Sequence, residues 1–287
     1  MNRATVKGLF FRYGPVLSAG ALIILCILVI AYPPQNASPE REGLPAAAAT
    51  PEVVPPSIPE GPPLYPYIEI LDSCGPRYDA ECVNMREGPG EEYPVVAKLR
   101  RGIVLKVAEA VLVSGRTWYK IAVDEEIRYP ERVTSEWYVA AEMANLIRDD
   151  GDHRLVIGDT ATSSKHIIVD RSDQMLYAYD GETLFMETAI STGLELTPTP
   201  RGTFAIYKMT PSRYMQGPDP ELGGDDYDLP GVPWNLYFTS GGAVIHGAYW
   251  HDSFGRPWSH GCVNVPLDKA KELYLWANIG TKVIVRD

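Results

Sequence analysis

The sequence predicts a mostly β fold that follows a single N-terminal transmembrane helix. Three observations lead to this prediction: an apolar run near the N-terminus, a long proline-rich stretch after it, and short strand-like segments separated by turn residues over the rest of the chain. The 287 residues leave room for two ordinary domains. The net charge of −11 argues against nucleic acid or anionic lipid as the main partner, because both are polyanions.

The N-terminal segment has the charge pattern of a membrane anchor. Residues 1–14 carry Arg3, Lys7 and Arg12 and no acidic residue, and residues 15–32 are apolar or weakly polar. As a helix, the second segment spans about 27 Å, close to the hydrocarbon thickness of a bilayer. The basic flank is expected in the cytoplasm, so everything after residue 32 is predicted to lie outside the cell membrane. A cleaved signal peptide is the competing interpretation, but no small-x-small site ends the run cleanly.

Residues 33–66 are predicted to be an extended linker, because eleven of these thirty-four residues are proline. At about 3.1 Å per residue the linker reaches roughly 100 Å from the bilayer. A tether toward an extracytoplasmic target and a spacer without any function predict the same biophysics, and both interpretations stay open.

Residues 67–148 are predicted to form a small β-barrel, because glycine-containing turns separate short strands. The predicted strands are Tyr67–Leu71, Cys82–Glu87, Val95–Leu99, Ile103–Val113, Thr117–Val123 and Glu136–Ala140.

Four motifs in this region, at residues 83–90, 93–96, 118–121 and 137–139, resemble bacterial SH3-like (SH3b) domains. The resemblance implies a module that binds the cell wall and targets the protein to it. The stretch Asp124–Thr134 before the last strand is an addition to the SH3-like pattern.

Cys74 and Cys82 flank a Gly-Pro turn at the start of this region, a spacing that suits a disulfide outside the membrane. Metal binding by the two thiols is the alternative, but no histidine lies nearby. With Cys26 in the anchor, the disulfide would leave Cys262 as the free extracytoplasmic thiol.

After a linker at residues 149–164, residues 165–287 are predicted to form a mostly antiparallel β domain with few helices. A helix is predicted at Asp268–Asn278, where apolar residues recur at helical spacing. The predicted strands are His166–Asp170, Met175–Tyr179, Leu184–Ser191, Thr203–Met209, Leu236–Thr239, Ala243–His246 and Lys282–Arg286.

The candidate catalytic residues lie in the segment 243–266, where His246, His251 and His260 precede Cys262. A thiol attacks as its thiolate, so a nucleophilic cysteine needs an imidazole to take its proton. A buried structural thiol is the alternative. No histidine follows Cys262, which argues against peptidases of the papain kind. His260 stays open as a rival base, and its other interpretation is a residue that orients the loop. His251 is interpreted as a plain loop residue, with contact to the substrate as the alternative, and His153 and His166 are interpreted as structural.

The second half of the chain, about residues 165–286, resembles the L,D-transpeptidase catalytic (YkuD-type) family. The matching motifs are Ile168-Val169-Asp170, Gln174-Met175-Leu176-Tyr177, Ser191-Thr192-Gly193, Thr197-Pro198-Thr199-Pro200-Arg201-Gly202-Thr203-Phe204, Ile245-His246-Gly247 and Ser259-His260-Gly261-Cys262-Val263-Asn264. The resemblance implies that Cys262 is the nucleophile, that His246 donates and accepts the proton, and that the carbonyl of Gly247 orients His246. The backbone amides of His260, Gly261 and Cys262 would then form the oxyanion hole.

Several further residues are predicted to border the substrate, and so is a loop from Pro211 to Trp234, since long loops in compact domains are often lids. The predicted substrate contacts are Ser259, Asn264, Tyr249, Trp250 and Trp234. The acidic residues of the loop are Asp219, Glu221, Asp225, Asp226 and Asp228. A solvated acidic rim, a calcium site and no role at all stay open for them. The predicted enzyme uses neither cofactor nor metal.

The resemblance implies a peptidoglycan L,D-transpeptidase that cross-links stem peptides in cell-wall biogenesis. Cys262 would attack the carbonyl between a diamino acid and a terminal D-Ala, release D-Ala and pass the acyl group to an amine of a neighbouring stem. An L,D-carboxypeptidase that trims the same peptides, and a non-catalytic wall-binding protein, are the alternatives. The protein is expected to be a monomer anchored by one helix, with its catalytic domain facing the cell wall.

Overall fold

The computed structural model describes residues 64–123, 127–151, 153–154, 164–217 and 227–287. The predicted cytoplasmic segment 1–14, the predicted transmembrane helix 15–32 and most of the proline-rich linker lie outside these residues. Within the described ranges, no helix has the length and apolar character needed to cross a membrane.

The first half of the described chain forms one seven-stranded sheet with the order β3-β2-β6-β5-β4-β1-β7. Its strands are β1 (Tyr65–Glu69), β2 (Val83–Arg86), β3 (Val95–Leu99), β4 (Val104–Val113), β5 (Arg116–Ile121), β6 (Tyr138–Ala140) and β7 (Asn145–Asp149). The six predicted strands are confirmed with shifted ends, whereas β7 was not predicted. The predicted closed barrel is not found, because β3 and β7 end the sheet and no pairing joins them in the part of the chain described.

Local sequence explains the longest hairpin of this sheet, which joins β4 to β5. Ser114 and Gly115 both have positive φ, of 50° and 81°. Consecutive positive φ values match the right-handed twist of a two-residue hairpin turn. Before this sheet's second strand, a disulfide joins Cys74 to Cys82, and Cys262 is the free cysteine of the described residues.

The second half of the chain forms two five-stranded sheets, with the orders β11-β10-β9-β17-β12 and β16-β15-β14-β13-β8. The strands are β8 (His153–Arg154), β9 (Lys165–Asp170), β10 (Met175–Asp180), β11 (Thr183–Ala189), β12 (Gly202–Ala205), β13 (Lys208–Gln216), β14 (Asp228–Tyr237), β15 (Val244–Gly247), β16 (Val263–Val265) and β17 (Lys282–Arg286). Pairing is antiparallel except for β9 with β17 and β15 with β16. The mostly antiparallel β fold is therefore confirmed.

The predicted helix is confirmed as α1 (Leu267–Trp276). It begins directly after Pro266, which favours the first turn because proline has no backbone N–H to leave without a partner. Ala270, Leu273 and Tyr274 form its buried face. That face packs into the core of the second half, together with Ile245 and Val265 of the strands that carry the candidate site.

The prediction of a loop from Pro211 to Trp234 is wrong at its described ends, because these belong to a long antiparallel hairpin of β13 and β14. Glycine and proline suggested a loop, yet Ser212 pairs with Pro233 inside the ladder. The run from Gly231 to Tyr237 is continuously buried. Strand β14 contacts both α1 and β4, so both of its faces are covered and the alternation that marks an exposed strand is lost.

The seven-stranded sheet and the second half of the chain share a hydrophobic core. Tyr214, Val232 and Tyr249 are buried in the same cluster as Ile68 and Leu99. Gly231 lies against β4, where an added Cβ would approach Ile103 Cγ2 and Val104 O to 2.6 Å. Polar contacts also cross this boundary. The Ser212 hydroxyl donates to Val104 O at 2.6 Å, and Lys271 pairs with the buried Glu69 carboxylate at 2.6 Å.

Candidate active site

Two parallel strands position His246 and Cys262. In the β15–β16 pair, His246 lies opposite Asn264, and Cys262 comes two residues before Asn264. Side chains along an extended chain alternate between faces, so this register favours the same side of the sheet for both groups. Both residues line one cavity of about 580 Å³. The structure thus brings together the two residues expected to act as base and nucleophile.

The His246 ring is buried, and its two nitrogens have different surroundings. Nδ1 lies 3.1 Å from the carbonyl oxygen of Gly247, which accepts only if Nδ1 carries the hydrogen. Nε2 then holds a lone pair, and it has no hydrogen-bond partner among the residues that the structure describes. The pKa of His246 is lowered to about 4, chiefly by burial and also by the charge of Arg213, which together outweigh the opposite effect of the Gly247 carbonyl. His246 is therefore neutral at neutral pH, the form that accepts a proton.

The Cys262 thiol is only partly exposed, and burial raises its pKa above the usual value. The charge of Arg213 and a backbone contact with Val244 act in the opposite direction. Sγ lies 3.8 Å from the carbonyl oxygen of Gly242, so the protonated thiol has an acceptor at rest. Together with neutral His246, this favours an uncharged resting pair in which the thiol gives up its proton as it attacks.

The loop that carries Cys262 is held by hydroxyl groups. Ser259 Oγ accepts the amide hydrogen of Gly261 at 3.1 Å and donates to the carbonyl of Cys262 at 2.5 Å. Thr199 Oγ1 donates to the carbonyl of Gly261 at 2.9 Å. The Gly261 amide is thus already engaged, while those of His260 and Cys262 have no acceptor among the described residues. The latter two amides are the ones available to an oxyanion.

The segment from Gly193 to Thr199 supports the loop that carries Cys262. Gly193 donates its amide hydrogen to Thr199 Oγ1 at 3.0 Å, and Leu194 donates to the carbonyl of Ser259 at 2.9 Å. No side chain fits at Gly193, because a Cβ there would lie 2.0 Å from the Thr197 carbonyl oxygen. The Ser-Thr-Gly and Thr-Pro-Thr-Pro motifs therefore act on the site by holding the loop that carries Cys262.

His251 is buried and takes part in packing the segment between the two strands. Its Nδ1 accepts the amide hydrogen of Ser253 at 3.1 Å, and its Nε2 lies 2.8 Å from the side-chain amide of Asn264. Burial lowers the pKa of His251 to about 4, which keeps it neutral. These contacts agree with the interpretation of His251 as a loop residue, and one of them holds the buried Asn264 at the cavity wall.

The cavity brings together most of the predicted substrate contacts. Ser259, Asn264 and Trp250 line it, and so do His260 and Trp258, which are exposed. The ring of Trp250 lies 5.6 Å from that of His246. His260 stacks on Tyr227 with the ring centroids 6.3 Å apart. Three of the five predicted substrate contacts therefore line the cavity that holds Cys262.

Three predicted residues do not reach the cavity. Tyr249 is buried in the core shared with the seven-stranded sheet, where its hydroxyl donates to the Pro230 carbonyl at 2.9 Å. Trp234 is buried in the core that contains α1. Asp228 is engaged by Tyr214, Gln216 and Arg132. Asp219, Glu221, Asp225 and Asp226 lie outside the described residues. His166 stacks on Tyr179, and only the backbone of His153 is described.

Sequence reasoning missed three arginines, Arg100, Arg128 and Arg213, which line the cavity. Arg213 lies on β13, inside the segment that was predicted to be a loop, and the other two belong to the SH3-like region. Nothing in their local sequence marks them. One signal was available, since the stretch Asp124–Thr134 departs from the SH3-like pattern and contains Arg128.

Among the described residues, no three His, Cys, Asp or Glu side chains come together as a metal site. Comparison with family models gives two matches. Residues 164–285 match the L,D-transpeptidase catalytic domain, and residues 79–124 match the bacterial SH3 domain. No curated protein matches the chain.

Solved structures similar to this chain include three L,D-transpeptidase structures. A mutant of the Enterococcus faecium enzyme is 29% identical over 42% of this chain and 49% of its own, with a TM-score of 0.39. The match thus spans about half of that protein. The catalytic domain from the same species is 29% identical over 44% of this chain and 99% of its own, with a TM-score of 0.39. The Mycobacterium smegmatis enzyme is 21% identical over 64% of this chain and 99% of its own, with a TM-score of 0.41.

The residues of the second half that form or support the site, from Gly193 to the Ser259–Asn264 loop, all lie within the matched range. We conclude that residues 164–285 belong to the L,D-transpeptidase catalytic domain family and that they follow a bacterial SH3 domain at residues 79–124.

Proposed function

We propose that this protein is a peptidoglycan L,D-transpeptidase in which Cys262 is the nucleophile and His246 the proton carrier. The observation that carries the proposal is that Cys262 and His246 line one cavity, and that Nε2 of His246 is buried without a hydrogen-bond partner among the described residues. The L,D-transpeptidase family match over the same residues supports the substrate class, which is the peptidoglycan stem peptide.

In the first half-reaction, the thiol attacks the carbonyl carbon between the diamino acid and the terminal D-Ala of a donor stem. The proton of Sγ passes to Nε2 of His246 as the S–C bond forms, because neither group is charged at rest. The carbonyl oxygen becomes an oxyanion. The amides of His260 and Cys262 are free to donate to it, which supports an oxyanion hole made of these two groups.

The intermediate then collapses. The C–N bond breaks, the imidazolium of His246 returns its proton to the departing amine, and D-Ala leaves behind a thioester on Cys262. An amine of a neighbouring stem attacks this thioester, His246 takes its proton, and the Cys262 thiolate leaves and is reprotonated. The Gly247 carbonyl stabilises the positive charge on the ring through Nδ1–H in both halves.

Attack on the thioester by water instead of an amine would release the shortened peptide, which is the reaction of a carboxypeptidase. Transfer to an amine requires a site that holds the acceptor in line and limits water. Trp250 and Trp258 line the cavity that also holds Cys262, and they support transfer because apolar rings there would limit access of water.

We also propose that the catalytic domain faces the cell wall from outside the membrane, held by the apolar segment 15–32, and that the protein acts as a monomer. The disulfide between Cys74 and Cys82 supports an oxidising compartment.

Incubation with purified muropeptides tests the function. Mass spectrometry should find cross-linked dimers, free D-Ala and, at short times, a thioester on Cys262. The Cys262→Ala variant is the matched control and should yield none of the three. Tripeptide and D-Ala without dimers would instead identify a carboxypeptidase, and no reaction with any stem peptide would refute the proposal.

A further inference from the structure

The SH3-like region contributes side chains to the catalytic cavity. Arg100 and Arg128 come from the first half of the chain and Arg213 from β13, and all three line the cavity that holds Cys262. No Asp or Glu of the described residues lines it. We call these three side chains the arginine wall. The wall is positive although the whole chain carries a net charge of −11.

Arg100 is held in place by aromatic side chains. Its guanidinium donates to the Tyr78 hydroxyl and lies 4.3 Å from the centre of the Tyr78 ring. It also lies 5.9 Å from the centre of the Tyr249 ring, and Tyr249 follows β15 by two residues. Stacking on aromatic rings restricts a guanidinium without neutralising its charge. Arg100 therefore keeps a fixed charge next to the segment that carries His246.

Arg128 is positioned through its neighbour Tyr129. The side chain of Gln216 accepts the Tyr129 amide hydrogen at 2.8 Å and donates to the Tyr129 carbonyl at 3.1 Å. This double contact fixes the backbone beside Arg128 to the end of β13. Arg132, in the same stretch, donates to the Gly217 carbonyl. The addition to the SH3-like pattern thus serves to bring Arg128 to the cavity.

The three guanidinium groups contact aromatic rings and one hydroxyl, and the described structure gives none of them a carboxylate partner. Arg213 lies 5.5 Å from the centre of the Tyr237 ring, and Arg128 lies 5.4 Å from that of Tyr129. Other arginines of the chain are paired, such as Arg116 with Glu91 and Arg286 with Asp170. Three unpaired charges at one cavity favour an anionic ligand.

We propose that the arginine wall is a carboxylate-binding subsite, built jointly by the two domains, that takes the C-terminal carboxylate of the donor peptide. This inference rests on the proposed function, in which the terminal D-Ala lies next to the scissile bond. A guanidinium binds a carboxylate through two parallel hydrogen bonds, which fixes orientation as well as charge. The SH3-like domain is then part of the substrate site.

The charge of the wall can be measured without any turnover, by alkylation of Cys262. Iodoacetate and iodoacetamide both react with the thiolate, forming an S–C bond as iodide leaves, but only iodoacetate is an anion. The ratio of their rates cancels changes in the pKa of the thiol. Relative to N-acetylcysteine, the ratio at Cys262 of the full-length protein should favour iodoacetate roughly tenfold.

The Arg100→Gln and Arg128→Gln variants should each lower this ratio about threefold, and the double variant further. The matched control is Arg101→Gln, which removes an exposed arginine next to Arg100 that does not line the cavity. A double variant with the wild-type ratio would overturn the inference, provided that its melting temperature is unchanged.

Donor peptides separate this inference from the proposed function. A stem tetrapeptide with a free C-terminus should acylate Cys262 roughly tenfold faster than the C-terminal amide, and Arg128→Gln should reduce that preference. Equal acylation by acid and amide in the wild type would refute the subsite while leaving the transpeptidase function in place. A variant-sensitive alkylation ratio with no acylation by either peptide would support the anion site and refute the proposed function.

Discussion

The Ser259 hydroxyl donates to the carbonyl oxygen of Cys262 and accepts the amide hydrogen of Gly261, so that one side chain closes the loop around the thiol. Ser259→Ala removes both contacts. We expect a loss of about 1–2 kcal/mol in the free energy of unfolding. The acylation rate should fall by a larger factor than the loss of stability accounts for, because the amides of His260 and Cys262 lose their alignment.

Ser259→Thr is the matched control, since it keeps the hydroxyl. Stopped-flow acylation and urea unfolding of both variants check the prediction. Wild-type acylation by Ser259→Ala would show that the loop keeps its shape without this hydroxyl.

Gly193 is the site where added volume should be least tolerated. A Cβ would lie 2.0 Å from Thr197 O and 2.7 Å from Thr199 N, and both are backbone atoms. Gly193→Ala should therefore destabilise the fold by about 1–3 kcal/mol or more and displace the Ser259–Cys262 loop. Gly241→Ala is the comparison, because nothing lies within 4 Å of its added Cβ. Thermal unfolding measures both, and equal melting temperatures would contradict the packing argument.

Substitutions of Cys262, His246 and His260 should differ in their effect on turnover. Cys262→Ala is expected to abolish acyl transfer, and residual activity above a few per cent would contradict its role. His246→Ala should lower kcat/KM by roughly two to four orders of magnitude, the usual contribution of a general base. His260→Ala should be milder, because its exposed side chain stacks on Tyr227. A more severe effect at His260 than at His246 would exchange the two roles.

The pH dependence of acylation should follow the buried imidazole. The pKa of His246 is lowered to about 4 by burial, and only the neutral ring accepts a proton. The rate constant kcat/KM should therefore persist from pH 7 down to pH 5 and fall as the pH drops through about 4. An exposed histidine would instead cause the loss near pH 6.5. Single-turnover acylation measured from pH 4 to pH 8 distinguishes the two cases.

The same shifts predict how stability changes with pH. His246 and His251 both have pKa values of about 4 in the folded protein, below the usual value near 6.5. Between these limits the unfolded chain binds more protons, so stability is lost as the pH falls from about 6.5 to 4, by up to about 3 kcal/mol per histidine. Urea unfolding at several pH values measures this loss, and His251→Gln should make stability depend less on pH than in the wild type. Equal stability of the wild type at pH 7 and pH 4.5 would contradict the prediction.

How much of the structure can be predicted from the sequence depends on how far apart in the chain the interacting residues lie. The strands Val95–Leu99 and Lys282–Arg286 and the helix α1 follow from local periodicity, and the structure has them within two residues. His246 and Cys262 stand out because their chemistry requires a partner, and their proximity depends on only one pair of strands. Local pattern and required chemistry were sufficient for these features.

The errors come from long-range packing. Tyr249 and Trp234 resemble cleft aromatics in sequence, yet they fill cores that depend on how two sheets meet. The hairpin of β13 and β14 was hidden by its prolines, because burial on both faces removes the alternation of an ordinary strand. Arg100 reaches a cysteine 162 positions later in the chain only because the two domains pack together. No local signal carries that information.

The core shared by the two domains limits how the chain can be rearranged. Val232, Tyr214 and Tyr249 are covered by residues of the SH3-like sheet, so a catalytic half produced alone would present these side chains to water. Grafting another SH3-like domain onto the catalytic domain would need a matching surface at Ile103 and Val104, where Gly231 leaves no room for a side chain. The two domains are therefore expected to have diverged as a pair, each substitution at this boundary constraining the next.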